Sequence, residues 1–412
     1  MKPTGDGRPK QRVLFVINSL EGGGAERVFA VVLDHIAPYL HDVQIEIALL
    51  DDRPSRFEIH APFVIHHLRG SGGLLDSTKR LYRLLAQFRP DVVVSFLTRA
   101  NYLTAAFARR LGYKAIISER SDTNGRLGGG LAGYLKKALV RRLYPRAAYV
   151  IAVAEGIKDS LIREYGVARD AARVIYNPYD MSALRHRAQE NCDLGDGPFI
   201  LTVGRLVRAK RFDLLIRAYA RGQFNQDLVI AGEGPELANL QALALELGVA
   251  GRVLLVGFVA NPYALMARAS LFVLSSEREG FPNALVESMC LGTPVVATHC
   301  NHGPLEILDP GMQAGIRGVH LGQYGILVPE GDVPALTNAM EQVLSDAELA
   351  AHYGRKGRQR AEDFTVDATV SQFAGLVREA LGAPQPWEQA GAALLQAARE
   401  QWSEAGHSHE RP

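Results

Sequence analysis

The sequence is poor in cysteine and contains no long hydrophobic run. Its 412 residues include three cysteines, Cys192, Cys290 and Cys300, whose spacing fits neither a disulfide framework nor a metal site. No stretch of about 18 apolar residues is present to span a bilayer. The N-terminal segment MKPTGDGRPKQR lacks the apolar core of a signal peptide. These absences favour a reducing compartment, and we expect a cytoplasmic protein, peripheral on the inner face of the cytoplasmic membrane.

The net charge is also small, only +2, but it is unevenly divided. Residues 1–180 hold 27 Lys and Arg against 18 Asp and Glu, whereas residues 181–412 hold 19 against 26. A basic half joined to an acidic half indicates that the first half faces an anionic partner. A chance asymmetry on solvated faces is the alternative, and no nucleic-acid partner is predicted.

Short apolar runs alternate with helical patterns along most of the chain. RVLFVI, at 12–17, is followed by a glycine turn and a helical pattern, and the alternation starts afresh near residue 198. Such alternation is typical of a parallel sheet covered by helices on both faces. We therefore predict an α/β protein with two Rossmann-like, doubly wound domains, 1–180 and 181–382, whose final helix can cross back to the first domain. A helical and polar tail is predicted over 383–412.

Three consecutive glycines, Gly22 to Gly24, separate the first strand from the helix that follows it. Glycine lets the backbone approach a ligand closely, and the N-terminus of a helix favours an anion. The spacing matches neither G-x-G-x-x-G nor a P-loop, so NAD-binding and ATPase functions are not indicated. A plain tight turn is the alternative to an anion site.

Two cations follow the first strand of the second block, in the segment GRLVRAK. Arg205 and Lys210 lie just past the end of that strand, where ligands bind in doubly wound sheets. The arginine fork and the lysine point charge could clamp a diphosphate between them. Ordinary solvated charges are the alternative.

The segment SEREGFPNALVES places Glu279 eight positions before Glu287. Eight helical residues rise about 12 Å, whereas the two carboxylates of a glycosidase lie about 5–10 Å apart, so a hydrolase pair is disfavoured. Pro282 or Asn283 suits a helix start. Glu279 then lies in the loop before the helix, and Glu287 lies on its second turn. The free N–H groups near 283–285 can meet phosphate oxygens, while Glu287 can bind a ribose diol and Glu279 the sugar.

These motifs occur in the order of a known family. SSEREGFPNALVESMCLGTPVVATHCNHGPLEIL resembles the Glu, seven residues, Glu signature of retaining glycosyltransferase family 4, a group 1 glycosyltransferase family. GGGAERV, TVGRLVRAKRFDLLIRAY, VIYNPYD, AGEGPE and VGFV resemble its glycine loop, diphosphate clamp, interdomain connection and nucleobase-side loops. The resemblance covers nearly the whole chain, and it implies a GT-B fold in which the two domains face a cleft.

The resemblance also implies roles for individual residues. Arg205 and Lys210 are expected to hold the diphosphate of a nucleotide sugar and, with Glu279, to form the catalytic group. Glu287 is expected to bind the ribose. Further donor contacts are implied for Gly23, Gly24, Glu233, Phe258, Phe281, Asn283, Ala284 and Leu285.

The chain departs from the family pattern after the strand in KAIISER. Many members carry a histidine there that contacts the sugar, whereas this chain has Ser118, Glu119 and Arg120. The histidine contact therefore cannot be carried over. Glu119 and Arg120 are expected on the acceptor or sugar side, and Glu306 is expected to shape the sugar side.

The reaction implied by the resemblance is a transfer with retention at the anomeric carbon, by same-face attack. We expect a hexose or N-acetylhexosamine to move from a UDP-sugar to a lipid-linked saccharide acceptor in bacterial surface glycan synthesis. Arg205 and Lys210 can replace a metal, and the adjacent pair Asp51 and Asp52 fits a strand-end turn, so we predict no metal and no cofactor. The alternatives are an epimerase or phosphorylase on the same fold and a non-catalytic protein that binds sugar nucleotides.

The basic residues of the first half are concentrated in RLGGGLAGYLKKALVRRLYPR. Leu131, Leu135, Leu139 and Leu143 fall near one face of a predicted helix over 131–146. The basic residues of this segment include Lys136, Lys137, Arg141, Arg142 and Arg146. Such a helix could lie on an anionic membrane surface; a domain-packing helix with a basic outer face is the alternative.

Overall fold

The computed structural model describes residues 11–382 except for six short gaps and single positions. These are 71–72, 121–129, 193, 196, 301 and 313–314, and the side chains of Leu74, Leu131 and Ala132 are likewise not described. Within the described residues, fourteen strands form two sheets of seven strands each. The predicted tail over 383–412 lies outside the described residues.

The first sheet is built from the first half of the chain, and its strands pair in parallel. The strands are β1 (Arg12–Ile17), β2 (Gln44–Asp51), β3 (Val64–Gly70), β4 (Val92–Phe96), β5 (Lys114–Glu119), β6 (Tyr149–Ala152) and β7 (Ala172–Val174). Their order is β3-β2-β1-β4-β5-β6-β7. All five residues of β4 are buried, as expected for a parallel strand covered on both faces.

Helices cover both faces of this sheet. They are α1 (Gly24–Ile36), α2 (Leu74–Phe88), α3 (Thr98–Leu111), α4 (Gly130–Leu143) and α5 (Glu155–Tyr165). Helix α1 packs on one face through Val28, Phe29 and Val32. Helix α3 packs on the other face through residues such as Leu103, so alternate residues of each strand enter different cores.

The second sheet repeats this plan, with one antiparallel strand at its edge. Its strands are β8 (Phe199–Val203), β9 (Asp227–Ala231), β10 (Val253–Gly257), β11 (Leu271–Leu274), β12 (Val295–His299), β13 (His320–Leu321) and β14 (Ile326–Pro329), in the order β10-β9-β8-β11-β12-β14-β13. Strand β13 is antiparallel to β14. The helices are α6 (Met181–Arg187), α7 (Phe212–Arg221), α8 (Leu237–Glu246), α9 (Pro262–Arg268), α10 (Asn283–Leu291), α11 (Pro304–Leu308), α12 (Val333–Ser345) and α13 (Ala347–Ala361). Helix α6 directly follows VIYNPYD, the segment that resembles the interdomain connection of the family.

The last described helix, α14 (Val366–Leu381), packs against the first sheet and not the second. The ring of Phe373 stacks on Phe96 of β4, with 5.7 Å between the ring centroids. A β-bridge between Tyr179 and Thr365 joins the two segments that pass between the domains. The described part of the chain therefore begins and ends on the same domain.

The prediction of two doubly wound parallel sheets that face a cleft is confirmed. The strand order reverses between β1 and β4 in one sheet, and between β8 and β11 in the other. Loops that leave neighbouring strands in opposite directions open a crevice at such a switch point. Gly24, just after β1, lies against Asn283, just after β11, so the two crevices face each other.

The described leucines of the basic helix have different environments, so part of this helix packs on the domain, and its membrane contact stays a prediction. In α4, Leu143 is buried and Leu139 is partly buried against the core, because the helix packs on α3 and α5. Leu135 and Tyr134 are 60% and 65% exposed, and the side chain of Leu131 lies outside the described residues. No helix in the described part of the chain combines the length and the apolarity that a membrane span requires.

Candidate active site

Lys210 and Glu279 meet at the switch point of the second sheet. Lys210 ends a short 3-10 turn after β8, and its Nζ donates a hydrogen bond of 2.6 Å to Oε1 of Glu279. The hydroxyl of Ser276 donates to the same oxygen, also at 2.6 Å. The Ser275 hydroxyl donates to the Lys210 carbonyl. The loops after β8 and β11 are thus fixed to each other by charge-assisted contacts.

Helix α10 points its N-terminus at the same crevice. It begins at Asn283 after Pro282 and ends at Leu291, before Gly292, which has a left-handed conformation. The sequence predicts this start and this stop. The side chains of Phe281 and Leu285 are buried in the core, and the Phe281 ring packs against Tyr176. Because these side chains are turned into the core, the backbone N–H groups of the first turn are the groups that can bind an anion.

Glu287, on the second turn of α10, is paired with an arginine of the other domain. Its carboxylate forms an ion pair with Arg27 of α1, and Arg27 Nη1 also donates a hydrogen bond of 3.0 Å to the Tyr263 hydroxyl. Burial is the largest influence on the pKa of the Arg27 guanidinium and lowers it, but the Glu287 carboxylate, together with Tyr263 and Tyr179, raises that pKa overall. Reasoning from the sequence did not identify Arg27. The sequence feature that could have identified Arg27 is its position in GGGAERV, on the first turn of a helix that follows a glycine loop.

Gly24 brings the two domains into close contact. A Cβ atom added to Gly24 would lie 2.6 Å from Nδ2 of Asn283, which leaves no room for a side chain. Oδ1 of Asn283 accepts hydrogen bonds from Asn177 Nδ2 and from the Tyr179 hydroxyl, each at 2.6 Å. Gly23 precedes α1 in an extended conformation. The helix start of the second domain is thus held between the glycine loop and the interdomain segment.

Three predicted donor residues are exposed around the loops after β8, β9 and β10. Arg205 and Glu233 are exposed, and Phe258 is 60% exposed. The loops fit together closely because Gly234 has a positive φ and a Cβ there would lie 2.3 Å from a backbone oxygen. The guanidinium of Arg56, from the first domain, lies 5.4 Å from the centroid of the Phe258 ring. These groups are accessible to a ligand.

Glu119 is buried and Arg120 is partly buried, and their expected place on the acceptor or sugar side stays a prediction. The Glu119 carboxylate is 1% exposed and accepts a hydrogen bond of 2.7 Å from the Tyr144 hydroxyl. Arg120 lies over the rings of Phe96 and Phe373 and donates to Oδ1 of Asn177 at 2.8 Å. Burial lowers the pKa of Arg120 to about 9.

Glu306 contacts the first domain. Its Oε2 accepts a hydrogen bond of 2.8 Å from the backbone N–H of Glu155, at the start of α5. Burial raises the pKa of Glu306 to about 7. Its neighbour His302 lies against Gly156 of the same helix. In this structure Glu306 therefore joins the domains, and the sugar-side role implied by the resemblance stays a prediction.

Among the described residues, no group of three or more His, Cys, Asp or Glu side chains could hold a metal ion. Asp51, one of the two adjacent aspartates, is paired with Arg99. In the described part of the chain, positive groups at the crevice include Lys210, Arg27 and the amides at the start of α10. Fixed positive groups in such a crevice can stabilise negative charge that develops on a leaving phosphate.

Comparisons with known proteins agree with this arrangement. The model of Glycosyltransferase Family 4 matches residues 22–183, and the model of Glycosyl transferases group 1 matches residues 186–360. A relative in Campylobacter jejuni is the N-acetylgalactosamine-N,N'-diacetylbacillosaminyl-diphospho-undecaprenol 4-alpha-N-acetylgalactosaminyltransferase. It is 31% identical over 367 residues, which cover 86% of this chain and 96% of that enzyme.

Solved structures share the fold. Anabaena HepE in complex with UDP has a TM-score of 0.72 and 22% identity, over 90% of this chain and 100% of HepE. The apo lipopolysaccharide outer core galactosyltransferase WaaB has a TM-score of 0.69 and 19% identity, over 90% of this chain and 99% of WaaB. The crevice between two facing sheets, the order of the motifs and these matches lead to one conclusion: the chain belongs to the group 1 glycosyltransferases of family 4 and has the GT-B fold.

Proposed function

We propose that this glycosyltransferase moves a hexose or N-acetylhexosamine from a UDP-sugar to a lipid-linked saccharide, with retention, in bacterial surface glycan synthesis. The observation that carries the proposal is the contact of Lys210 with Glu279 beside the N-terminus of α10. The name of the Campylobacter relative, an N-acetylgalactosaminyltransferase acting on a diphospho-undecaprenol-linked sugar, supports the acceptor class. HepE structures with UDP and with UDP-glucose support the donor class.

In the proposed reaction the bond from the anomeric carbon to the β-phosphate oxygen breaks, and a bond to the acceptor hydroxyl forms on the same face. The hydroxyl proton passes to the departing phosphate oxygen. Negative charge grows on that oxygen in the transition state, where Lys210, Arg205 and the amides of α10 are positioned to stabilise it. Glu279, held by Lys210 and Ser276, accepts hydrogen bonds from the sugar. The reaction then needs no metal ion, and EDTA is expected to leave the rate unchanged.

A donor screen tests the proposal. The purified protein is incubated with UDP- and GDP-linked hexoses and N-acetylhexosamines, with and without a diphospho-undecaprenol-linked saccharide, and the products are identified by NMR. We expect release of UDP and an α-linkage from an α-linked donor. Interconversion of donor sugars without transfer would indicate an epimerase, release of the sugar phosphate would indicate a phosphorylase, and binding without any turnover would indicate a binding protein. An inverted linkage would contradict retention.

We also propose that α4 brings the enzyme to an anionic membrane surface where a lipid-linked acceptor is available. Tyr134 and Leu135 are exposed beside Lys136, which is also exposed, and Lys137. Exposed apolar groups next to lysines suit the interface of an anionic bilayer. Flotation with liposomes that contain or lack phosphatidylglycerol tests this proposal. Replacement of both lysines with Gln is expected to reduce liposome binding roughly tenfold or more, at about 1 kcal/mol per charge. Liposome binding that does not depend on anionic lipid would contradict this proposal.

A further inference from the structure

One ion pair in the cleft joins the two domains directly. Arg27 lies on the first turn of α1 in the first domain, and Glu287 lies on α10 in the second. The Glu287 side chain is almost completely buried, and Arg27 retains partial exposure. A buried carboxylate without a cation is costly, because nothing compensates its desolvation. The position of the Glu287 side chain therefore depends on a residue of the other domain.

The guanidinium is held on both sides. One nitrogen binds Glu287, and the other donates to the hydroxyl of Tyr263, on α9. The ring of Tyr263 in turn lies under the guanidinium of Arg187, at 4.8 Å from the ring centroid. An arginine with both ends of its planar fork engaged has a fixed orientation. It can therefore fix the orientation of the carboxylate it binds.

We propose that Arg27 is a positioning residue for the ribose of the nucleotide donor. It holds the Glu287 carboxylate in one orientation, so that the 2′ and 3′ hydroxyls are recognised by a carboxylate whose position depends on both domains. The inference rests on the proposed function, because it requires a nucleotide in the cleft.

The proposal separates ribose recognition from the rest of donor binding. Lys210 and Arg205 come from the loop after β8 and lie within the second domain, so diphosphate binding does not depend on Arg27. Loss of Arg27 should therefore weaken recognition of the ribose hydroxyls selectively. A purely structural role would weaken all nucleotides to the same extent.

The experiment compares ribose with deoxyribose ligands. Calorimetry measures the dissociation constants of UDP and 2′-deoxy-UDP, and of GDP and 2′-deoxy-GDP, for the wild type, Arg27→Ala and Arg27→Lys. The wild type is expected to prefer one ribonucleotide over its deoxy form about 10- to 100-fold, as for hydrogen bonds to a buried charge. In Arg27→Ala the ratio should fall below about threefold, and Arg27→Lys should restore part of it because the charge is kept.

A matched control removes another arginine–carboxylate pair. Arg378, on α14, binds Asp42 and the Tyr39 carbonyl on the first domain. Arg378→Ala is expected to keep the wild-type ratio even if it lowers the thermal stability.

Three results would overturn the inference. In the first, Arg27→Ala weakens both members of a nucleotide pair equally; where that variant does not fold, an unchanged ratio in Arg27→Lys overturns the inference in the same way. In the second, the wild type binds nucleotides but does not distinguish ribose from deoxyribose, and the proposed function survives. In the third, the wild type binds no nucleotide of either pair, and the proposed function fails together with the inference.

Discussion

Two ion pairs lie in the cleft, and they differ in where their partners come from. Lys210 and Glu279 both belong to the second domain and are joined by loops that follow neighbouring strands. Arg27 and Glu287 belong to different domains. The first pair keeps its geometry whatever the distance between the domains, whereas the second exists only when the domains are close.

The two domains contribute different groups to the two edges of the cleft. The second domain supplies the charged groups suited to the leaving phosphate, together with the N-terminus of α10. The first domain supplies a glycine loop, the cation Arg27 and a helix start that Glu306 contacts. We therefore expect changes in the second domain to reduce the chemical step, and changes in the first to reduce donor binding.

The largest effect is expected from Lys210→Ala. Removal of a fixed positive group from the leaving phosphate should lower kcat about 100- to 1,000-fold, as measured by donor turnover at saturating donor. Arg208, exposed in the same 3-10 turn, gives the matched control, and Arg208→Ala should stay within about threefold of the wild type. A normal kcat in Lys210→Ala would contradict the assignment of the Lys210–Glu279 pair to the chemical step.

A smaller effect, on binding, is expected from Gly24→Ala. The added methyl group would lie 2.6 Å from Nδ2 of Asn283, so the Asn283 amide, which accepts hydrogen bonds from Asn177 and Tyr179, must shift. We expect KM for the donor to rise about 10-fold with a much smaller change in kcat, measured by steady-state kinetics. Gly251→Ala is the control, because a Cβ at that position has nothing within 4 Å. A loss confined to kcat would show that the first domain acts on the chemical step instead.

The smallest effect is expected at the other contact between the domains, and it depends on pH. Since burial raises the pKa of Glu306 to about 7 from an ordinary value of 4.5, the folded state binds more protons between these values. Stability contributed by protonated Glu306 is therefore present below about pH 4.5 and is lost as the pH rises through about 7.

Glu306→Gln removes this dependence and keeps an acceptor for the Glu155 N–H. Its free energy of unfolding should match that of the wild type near pH 5 and exceed it by roughly 1–2 kcal/mol near pH 8. Thermal melts at both pH values measure the difference. Glu362→Gln, at an exposed position, is the control. A pH dependence of stability in Glu306→Gln that is parallel to that of the wild type would contradict the raised pKa of Glu306.

Much of the fold could be predicted from local patterns. The alternation of strands and helices indicated two parallel sheets, because the hydrophobic periodicity and the glycine turns that mark each element are properties of short segments. The boundaries of α10 followed from Pro282, Asn283 and Gly292 for the same reason. The association of Lys210 with Glu279 required more, since the two residues meet only after β8 and β11 become neighbours.

The rest of the site depended on contacts that no short segment encodes. Arg27 and Glu287 are far apart in sequence, and only the facing of the two domains brings them together. Glu306 was assigned through the family motif, yet its carboxylate meets the start of α5. On α4, the leucine spacing indicated one apolar face, but packing on α3 and α5 buries Leu143 and part of Leu139, whereas Leu135 is exposed.

The β-bridge between Tyr179 and Thr365 has a mechanical consequence. In the described part of the chain, the polypeptide passes between the domains at these two places, and the bridge fastens them side by side. Two adjacent covalent tethers resist sliding and leave rotation about their common line as the easy movement, as in a hinge. Opening of this enzyme should therefore swing the rims of the crevice apart while the residues beside the tethers hardly move.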